Sequence, residues 1–237
     1  MKKKPGESTK APRPPKDAFA VANKSRVLII DDHTMMRVGV AEIIKHEPDL
    51  DVCGTASSAN EGFEAVNKLK PDLVIVDITL PGKNGIEFIK DARAMHPDLR
   101  ILVMSMHDES LYADRILRAG GRGYIRKQEG GDKLIDAVRR VLRGEIAVSE
   151  KITGRLLETF SGRKTMDSPL EGLSDRELEV FQLIGQGKTM KQIADELHVS
   201  PKTIEVHRSR IREKLRVTSA AELVSYAARW SQTQGVT

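Results

Sequence analysis

The chain has 237 residues, 39% of them apolar and 31% charged, which suits one large or two ordinary domains with hydrophobic cores. No apolar run approaches the length of a membrane span and no apolar signal core opens the N-terminus, so a cytoplasmic protein without a membrane partner is expected. The single cysteine, Cys53, excludes an internal disulfide, and the six histidines lack zinc-ligand spacing.

Residues 1–25 hold seven Lys/Arg against Glu7 and Asp17, a surplus that equals the net charge of +5. Pro-rich, basic and poor in large apolar side chains, this stretch is predicted to be a disordered tail. It reads as a solubilising extension or, alternatively, as an arm for nucleic acid or a membrane surface.

From Arg26 short apolar runs alternate with longer amphipathic ones. "RVLIID", "DVCGTA", "DLVIVD", "RILVMS" and "GYI" read as strands. The segments between them, and "GDKLIDAVRRVLRG" after the last, place apolar residues three and four apart, as helices do. Alternation of this kind predicts an α/β fold, a doubly wound five-stranded parallel sheet, over residues 26–147. Residues 148–168 read as a linker with a short helix near "KITGRLLETF". Residues 169–237 carry no strand signal and form a small all-α domain. There Ser174 and Glu177 make a capping box, and Ser200 with Pro201 opens a later helix.

In an open parallel sheet, ligands bind beyond the carboxyl ends of the strands. The first run ends in Asp31 and Asp32, the third in Asp77 and the fourth in Ser105, and Lys127 follows the fifth. Three carboxylates brought together repel unless a cation lies among them, and oxygen ligands favour Mg2+. Such a site supports in-line phosphoryl transfer to a carboxylate nucleophile, with Ser105 and Lys127 contacting phosphoryl oxygens. Taken singly, each acid reads as a helix N-cap or a loop carboxylate, and Asp31 or Asp32 could cap the following helix.

"LIIDDH", "DLVIVDITLPGKNGIE", "ILVMS" and "GYIRK" resemble the flavodoxin-like receiver domain of bacterial response regulators. The resemblance implies that Asp77 takes a phosphoryl group from the phosphohistidine of a sensor histidine kinase. It also implies that Asp31, Asp32, Asp77 and the Thr79 backbone carbonyl hold Mg2+, and that Tyr124 reorients with Ser105 on activation. Lys83 and Asn84 depart from the usual apolar and acidic pair after Pro-Gly. A haloacid-dehalogenase-type phosphatase is the rival reading, but it wants an acid where Thr79 stands. The face of the fourth helix, fifth strand and fifth helix is the expected output surface. Arg115, Arg118, Arg122 and Arg126 lie on or beside it and read as a solvated basic face.

"TMKQIADELHVSPKTIEVHRSRIREKL" reads as helix, turn, helix. Ile193, Ala194 and Leu197 are expected to pack on Ile204, Ile211 and Leu215. Lys202 to Arg216 carries six basic residues against two acids, a concentration that suits a recognition helix in a major groove. The segment resembles the LuxR-type helix-turn-helix of NarL/FixJ response regulators. That implies phosphate contacts from Lys202, Thr203, Arg208 and Lys214 and base contacts from Glu205, Val206 and Ser209. His207 falls between the core and DNA faces. Leu223, Val224, Ala227 and Ala228 form a stripe that covers the bundle or pairs two copies. The whole implies a DNA-binding response regulator, non-enzymatic apart from its own aspartyl phosphorylation and dephosphorylation. Its expected partners are a histidine kinase, double-stranded promoter DNA, a second copy when phosphorylated, and RNA polymerase. A third reading keeps the fold but binds DNA constitutively.

Overall fold

Burial on both faces explains the unbroken apolar runs. Leu73, Val74, Ile75 and Val76 are all fully buried, and each such side chain stabilises the fold by about 1.5–3 kcal/mol. In the computed structural model, which describes residues 24–160 and 169–233, they form β3 (Leu73–Val76). The other strands are β1 (Ser25–Ile30), β2 (Leu50–Ala56), β4 (Arg100–Ser105) and β5 (Gly123–Arg126). They pair in parallel in the order β2-β1-β3-β4-β5, as the alternating pattern predicts. Helices α1 (Thr34–Lys45) and α5 (Gly131–Leu142) cover one face through Val27, Ile29 and Ile75. The opposite face, with Leu28, Ile30 and Val76, is covered by α2 (Ala59–Leu69), α3 (Gly85–Met95) and α4 (Glu109–Ala119).

After α5 the chain doubles back beside β5. Tyr124 N donates to the Ala147 carbonyl at 2.8 Å and Ala147 N to Arg122 at 2.9 Å, giving a parallel bridge between Gly123 and Ala147. Gly123 suits the approach, because a Cβ there would lie 2.8 Å from the Ala147 oxygen. The linker then forms α6 (Glu150–Phe160), packed on α4.

The helical domain consists of a 3-10 turn (Pro169–Gly172), α7 (Asp175–Gly185), α8 (Met190–Glu196), α9 (Pro201–Leu215) and α10 (Ala220–Thr233). Ser174 and Glu177 cap α7 reciprocally, while Ser200 accepts from Thr203 N with Pro201 at the start of α9. Ile193, Ala194, Leu197, Ile204 and Ile211 are buried as expected, and Leu215 is half-buried. The stripe on α10 differs from expectation at one position. Leu223 and Ala227 are fully buried, whereas the adjacent Val224 is 42% exposed.

The two domains are packed against each other. One apolar cluster runs from Val76, Tyr112 and Ile116 into Leu170, Leu173 and Phe181. Most of the basic tail expected over residues 1–25 lies outside the described residues, although Ser25 already belongs to β1. Residues 161–168 of the expected linker also lie outside them. No described helix is long and apolar enough to cross a membrane.

Candidate functional site

The strand order reverses between β1 and β3, and this is where the acids converge. Ile30 pairs with Val76, so Asp31 and Asp77 leave the sheet side by side, and Asp77 N donates to the Ile30 carbonyl at 2.9 Å. Ser105 pairs with Arg126, which brings Lys127 alongside, and Lys127 N donates to the Ser105 carbonyl at 2.9 Å. The α3 N-terminus closes tightly behind the site. A Cβ on Gly85 would lie 2.1 Å from the Asp77 carbonyl oxygen, so only glycine fits.

Lys127 Nζ lies 2.7 Å from both Asp31 Oδ2 and Asp77 Oδ2. All three side chains are almost wholly buried. One ammonium cannot neutralise three carboxylates. Burial pushes the Asp77 carboxyl up to about 7, with Lys127 opposing and Asp31 reinforcing the shift. Burial works against the charge on Lys127, but Asp77 and Asp31 overcome it and hold that amine above the usual lysine range.

The donor set fits a hard cation. Ligand atoms of Asp31, Asp32, His33 and Asp77 all lie within 4.8 Å of one another. Asp31 Oδ2 and Asp32 Oδ1 are buried without an aligned hydrogen bond, although Lys127 Nζ and His33 Nδ1 approach each to 2.7 Å. Nor does either acid cap α1. The N-cap is His33, with no side-chain cap bond, and Asp31 Oδ1 accepts instead from His33 N at 2.8 Å.

His107 links the parts around this cluster. Its N–H donates to Ser105 Oγ at 3.2 Å, and its carbonyl accepts from the Tyr124 hydroxyl at 2.6 Å. Its Nε2 lies 3.1 Å from Thr79 Oγ1, and its ring meets that of Tyr112 at 5.1 Å. Burial pushes the imidazole down to about 4, so the ring is neutral at pH 7. The Tyr124 phenol is pushed well up by burial.

The helical domain seats its α7 against this edge. The Tyr112 hydroxyl donates to Gln182 Oε1 at 2.8 Å, and the Thr79 hydroxyl reaches the carboxylate of Glu179, which is 1% exposed and held by Arg176 at 2.7 Å. Arg115 corrects an expectation, since it is not part of a solvated face. Its guanidinium donates to the carbonyls of Leu170 and Leu173 at 2.8 and 2.7 Å and pairs with Asp175 at 3.0 Å. Lys90 of α3 pairs with Asp175 at 2.9 Å. Arg118 stays on the surface, 75% exposed and paired with Asp114. Tyr112, His107, Gln182 and Glu179 escaped the sequence reading.

The second helix of the turn motif faces outward. Lys202, Glu205, Val206, Ser209 and Arg210 are exposed, while Thr203, His207 and Arg208 are half-buried. Arg208 lies 3.8 Å from Glu205. Lys214 donates to the buried Glu177 carboxylate at 2.6 Å, which ties the end of α9 to α7.

A buried acid cluster at the switch point of a doubly wound sheet, joined to a basic helix-turn-helix, defines a regulator whose switch and DNA-reading parts occupy separate domains. Comparison with known proteins agrees. Residues 27–139 match the family model "Response regulator receiver domain", and residues 171–227 match "Bacterial regulatory proteins, luxR family". The chain is 36% identical over 208 residues to the oxygen regulatory protein NreC of Staphylococcus carnosus, covering 85% of this chain and 96% of that one. Among solved structures, RcsB of Salmonella typhimurium aligns over 87% of this chain and 98% of its own, at 26% identity and a TM-score of 0.63. A LuxR-family response regulator from Aurantimonas sp. SI85-9A1 aligns over 59% of this chain and 99% of its own, at 32% identity and a TM-score of 0.54. The chain belongs to the two-component response regulators that join a receiver domain to a LuxR-type DNA-binding domain, and it regulates transcription.

Proposed function

We propose that Asp77 is the phosphoryl acceptor, with a sensor histidine kinase as donor. The observation that carries this reading is the Lys127 ammonium shared at 2.7 Å between Asp77 and Asp31, buried at the sheet's switch point. Lys127 and Ser105 would meet the incoming phosphoryl oxygens. Asp31, Asp32, Asp77 and the Thr79 carbonyl would hold Mg2+, which when bound offsets negative charge on the transferring group. Asp31 and Asp32 are not themselves phosphorylated, and turnover is confined to this chain's own aspartyl phosphate.

The acquired charge of about −1.5 to −2 falls beside Ser105 and Thr79. Ser105 turning toward it gives up His107 N, and Tyr124 and Tyr112 follow through their contacts with His107. That loosens the Tyr112–Gln182 contact and frees the helical domain to pair with a second copy. On DNA, Lys202, Thr203, Arg208 and Lys214 meet phosphates, while Glu205, Val206 and Ser209 face base edges. The structural relative RcsB has been solved on the rprA promoter with the phosphomimetic BeF3-, which supports the same order of events here. A cytoplasmic location and contact with RNA polymerase complete the proposal.

A second reading has its own support. The base-facing side of α9 is exposed while the domains are docked, so docking leaves room for weak binding without phosphorylation. Promoter affinity measured with and without beryllofluoride and Mg2+ separates the two. Tighter binding and dimerisation with beryllofluoride support the switch, and unchanged affinity favours constitutive binding.

A further inference from the structure

The cavity over Asp77 is built by both domains. Its floor includes Asp32, Asp77 and Lys127, and its outer wall includes Lys188, His198 and Trp230 of the helical domain. His198 Nε2 comes within 3.9 Å of Asp32 Oδ2, and Lys188 helps depress the imidazole of His107. The cavity is partly open and has a volume of about 760 Å³. Asp195 and Glu196 share the wall with Lys188, so charge of both signs faces the cavity and size is the discriminating property.

We propose that the helical domain roofs the acceptor site, so that the docked protein takes phosphoryl groups directly from small donors, whereas a phosphohistidine carried on a helix reaches Asp77 only in the fraction whose domains have parted. This rests on the reading of Asp77 as acceptor. An α-helix with its side chains is about 10–12 Å across, so a donor carried on one has to displace Lys188, His198 and Trp230 of the helical domain, which line the cavity over Asp77. A donor the size of phosphoramidate fills about as much space as three or four waters, roughly 100 Å³. In either case the P–N bond breaks as Asp77 Oδ bonds to phosphorus. The phosphoramidate nitrogen is already protonated and leaves with the electron pair as neutral ammonia; in phosphohistidine the proton sits on the other ring nitrogen, and the leaving nitrogen takes the electron pair to give neutral imidazole. The roof therefore sets which donor reaches Asp77 without taking part in the transfer.

The contacts that hold the roof can be removed without touching the cavity. Arg115 and Lys90 do not line it, and both grip Asp175. The full-length protein and an Arg115→Glu/Lys90→Glu variant are each incubated in Mg2+ buffer with phosphoramidate. In parallel they receive a helical peptide of about 20 residues, roughly 30 Å long, bearing one phosphohistidine. Intact mass follows acylphosphate formation, small-angle scattering confirms undocking, and Tyr112→Phe supplies a milder opening. With phosphoramidate the variants match the parent. With the peptide the double variant gains about tenfold or more, equivalent to about 1.4 kcal/mol of closing free energy, and Tyr112→Phe falls between. Equal acceleration of both donors, or of neither, overturns the roof and leaves Asp77 as acceptor. Label that persists in Asp77→Asn, or no label from any donor, sinks the acceptor reading and the roof with it.

Discussion

The Tyr112 hydroxyl donates to Gln182 Oε1 at 2.8 Å across the domain boundary, with both side chains buried. The Tyr112 ring also meets that of His107, whose N–H donates to Ser105 Oγ, so two hydrogen bonds and one ring contact link the candidate switch hydroxyl to the docked helix. Replacing Tyr112 with Phe keeps the ring and leaves the Gln182 carbonyl oxygen without its donor. An orphaned buried polar group costs about 1–3 kcal/mol. The expected outcome is faster amide exchange in α7 and a larger radius of gyration, with the sheet's protection unchanged. Unaltered α7 exchange would show that the contact contributes nothing to docking.

The raised carboxyl of Asp77 makes a pH prediction. An unfolded aspartate ionises near 3.9, while Asp77 in the fold holds its proton to about 7. Between those values the unfolded chain binds fewer protons, so stability falls as pH rises from about 4 to 7. Three pH units at 1.36 kcal/mol each make that loss on the order of 4 kcal/mol. Asp77→Asn should therefore melt higher than the parent at pH 8 without divalent cation, and the two should converge near pH 4. Mg2+ should raise the parent's melting temperature more at pH 8 than at pH 6, since a bound cation competes with the proton. Melting curves across that range check both statements, and a parent that outlasts the variant at pH 8 contradicts them.

His107 titrates in the opposite sense. Its folded value of about 4 lies below the ordinary 6.5, so its contribution is complete above pH 6.5 and is lost as pH falls toward 4. Lys127 and Lys188 add to the cost of charging it. His107→Gln should flatten the pH dependence of melting between 6.5 and 4.5 relative to the parent. An unchanged slope would assign the acid sensitivity to other groups.

How much of this was readable from sequence depends on what each residue faces. The strands were legible because helices on both faces demand unbroken apolar runs such as Leu73–Val76. The acids were legible because a residue just past such a run must stand at the sheet edge, where Asp31 and Asp77 do. The interface was not. Glu179 and Gln182 stand three residues apart on α7 with nothing in the sequence to mark them as covered, yet both are buried against the receiver. A polar stripe carries no mark of whether water or another domain covers it. Arg115 misleads in the same way, since its partners are carbonyls of Leu170 and Leu173, more than fifty residues further along the chain.

Lys202 and Lys214 both belong to α9, and their settings predict different losses. Lys202 is exposed and bonds to no described group, so Lys202→Ala should weaken every DNA sequence about equally and lower the salt slope by about 1. Lys214 donates to Glu177, a carboxylate with 3% side-chain exposure that also caps α7, and the ammonium holds its pKa below the usual range against the opposing effect of burial. Because Lys214 itself is 41% exposed, solvent screening limits the pair to about 1 kcal/mol. Lys214→Ala should therefore lower the melting temperature of the helical domain as well as DNA affinity, whereas Lys202→Ala should leave melting unchanged. The pairing depends on an ionised Glu177, so the Lys214 effect should fade as pH falls through the acid range while the Lys202 effect persists. Fluorescence anisotropy at several salt concentrations, alongside thermal melts, separates the two. A Lys202→Ala loss confined to a single operator base would mean that Lys202 reads sequence and not phosphate.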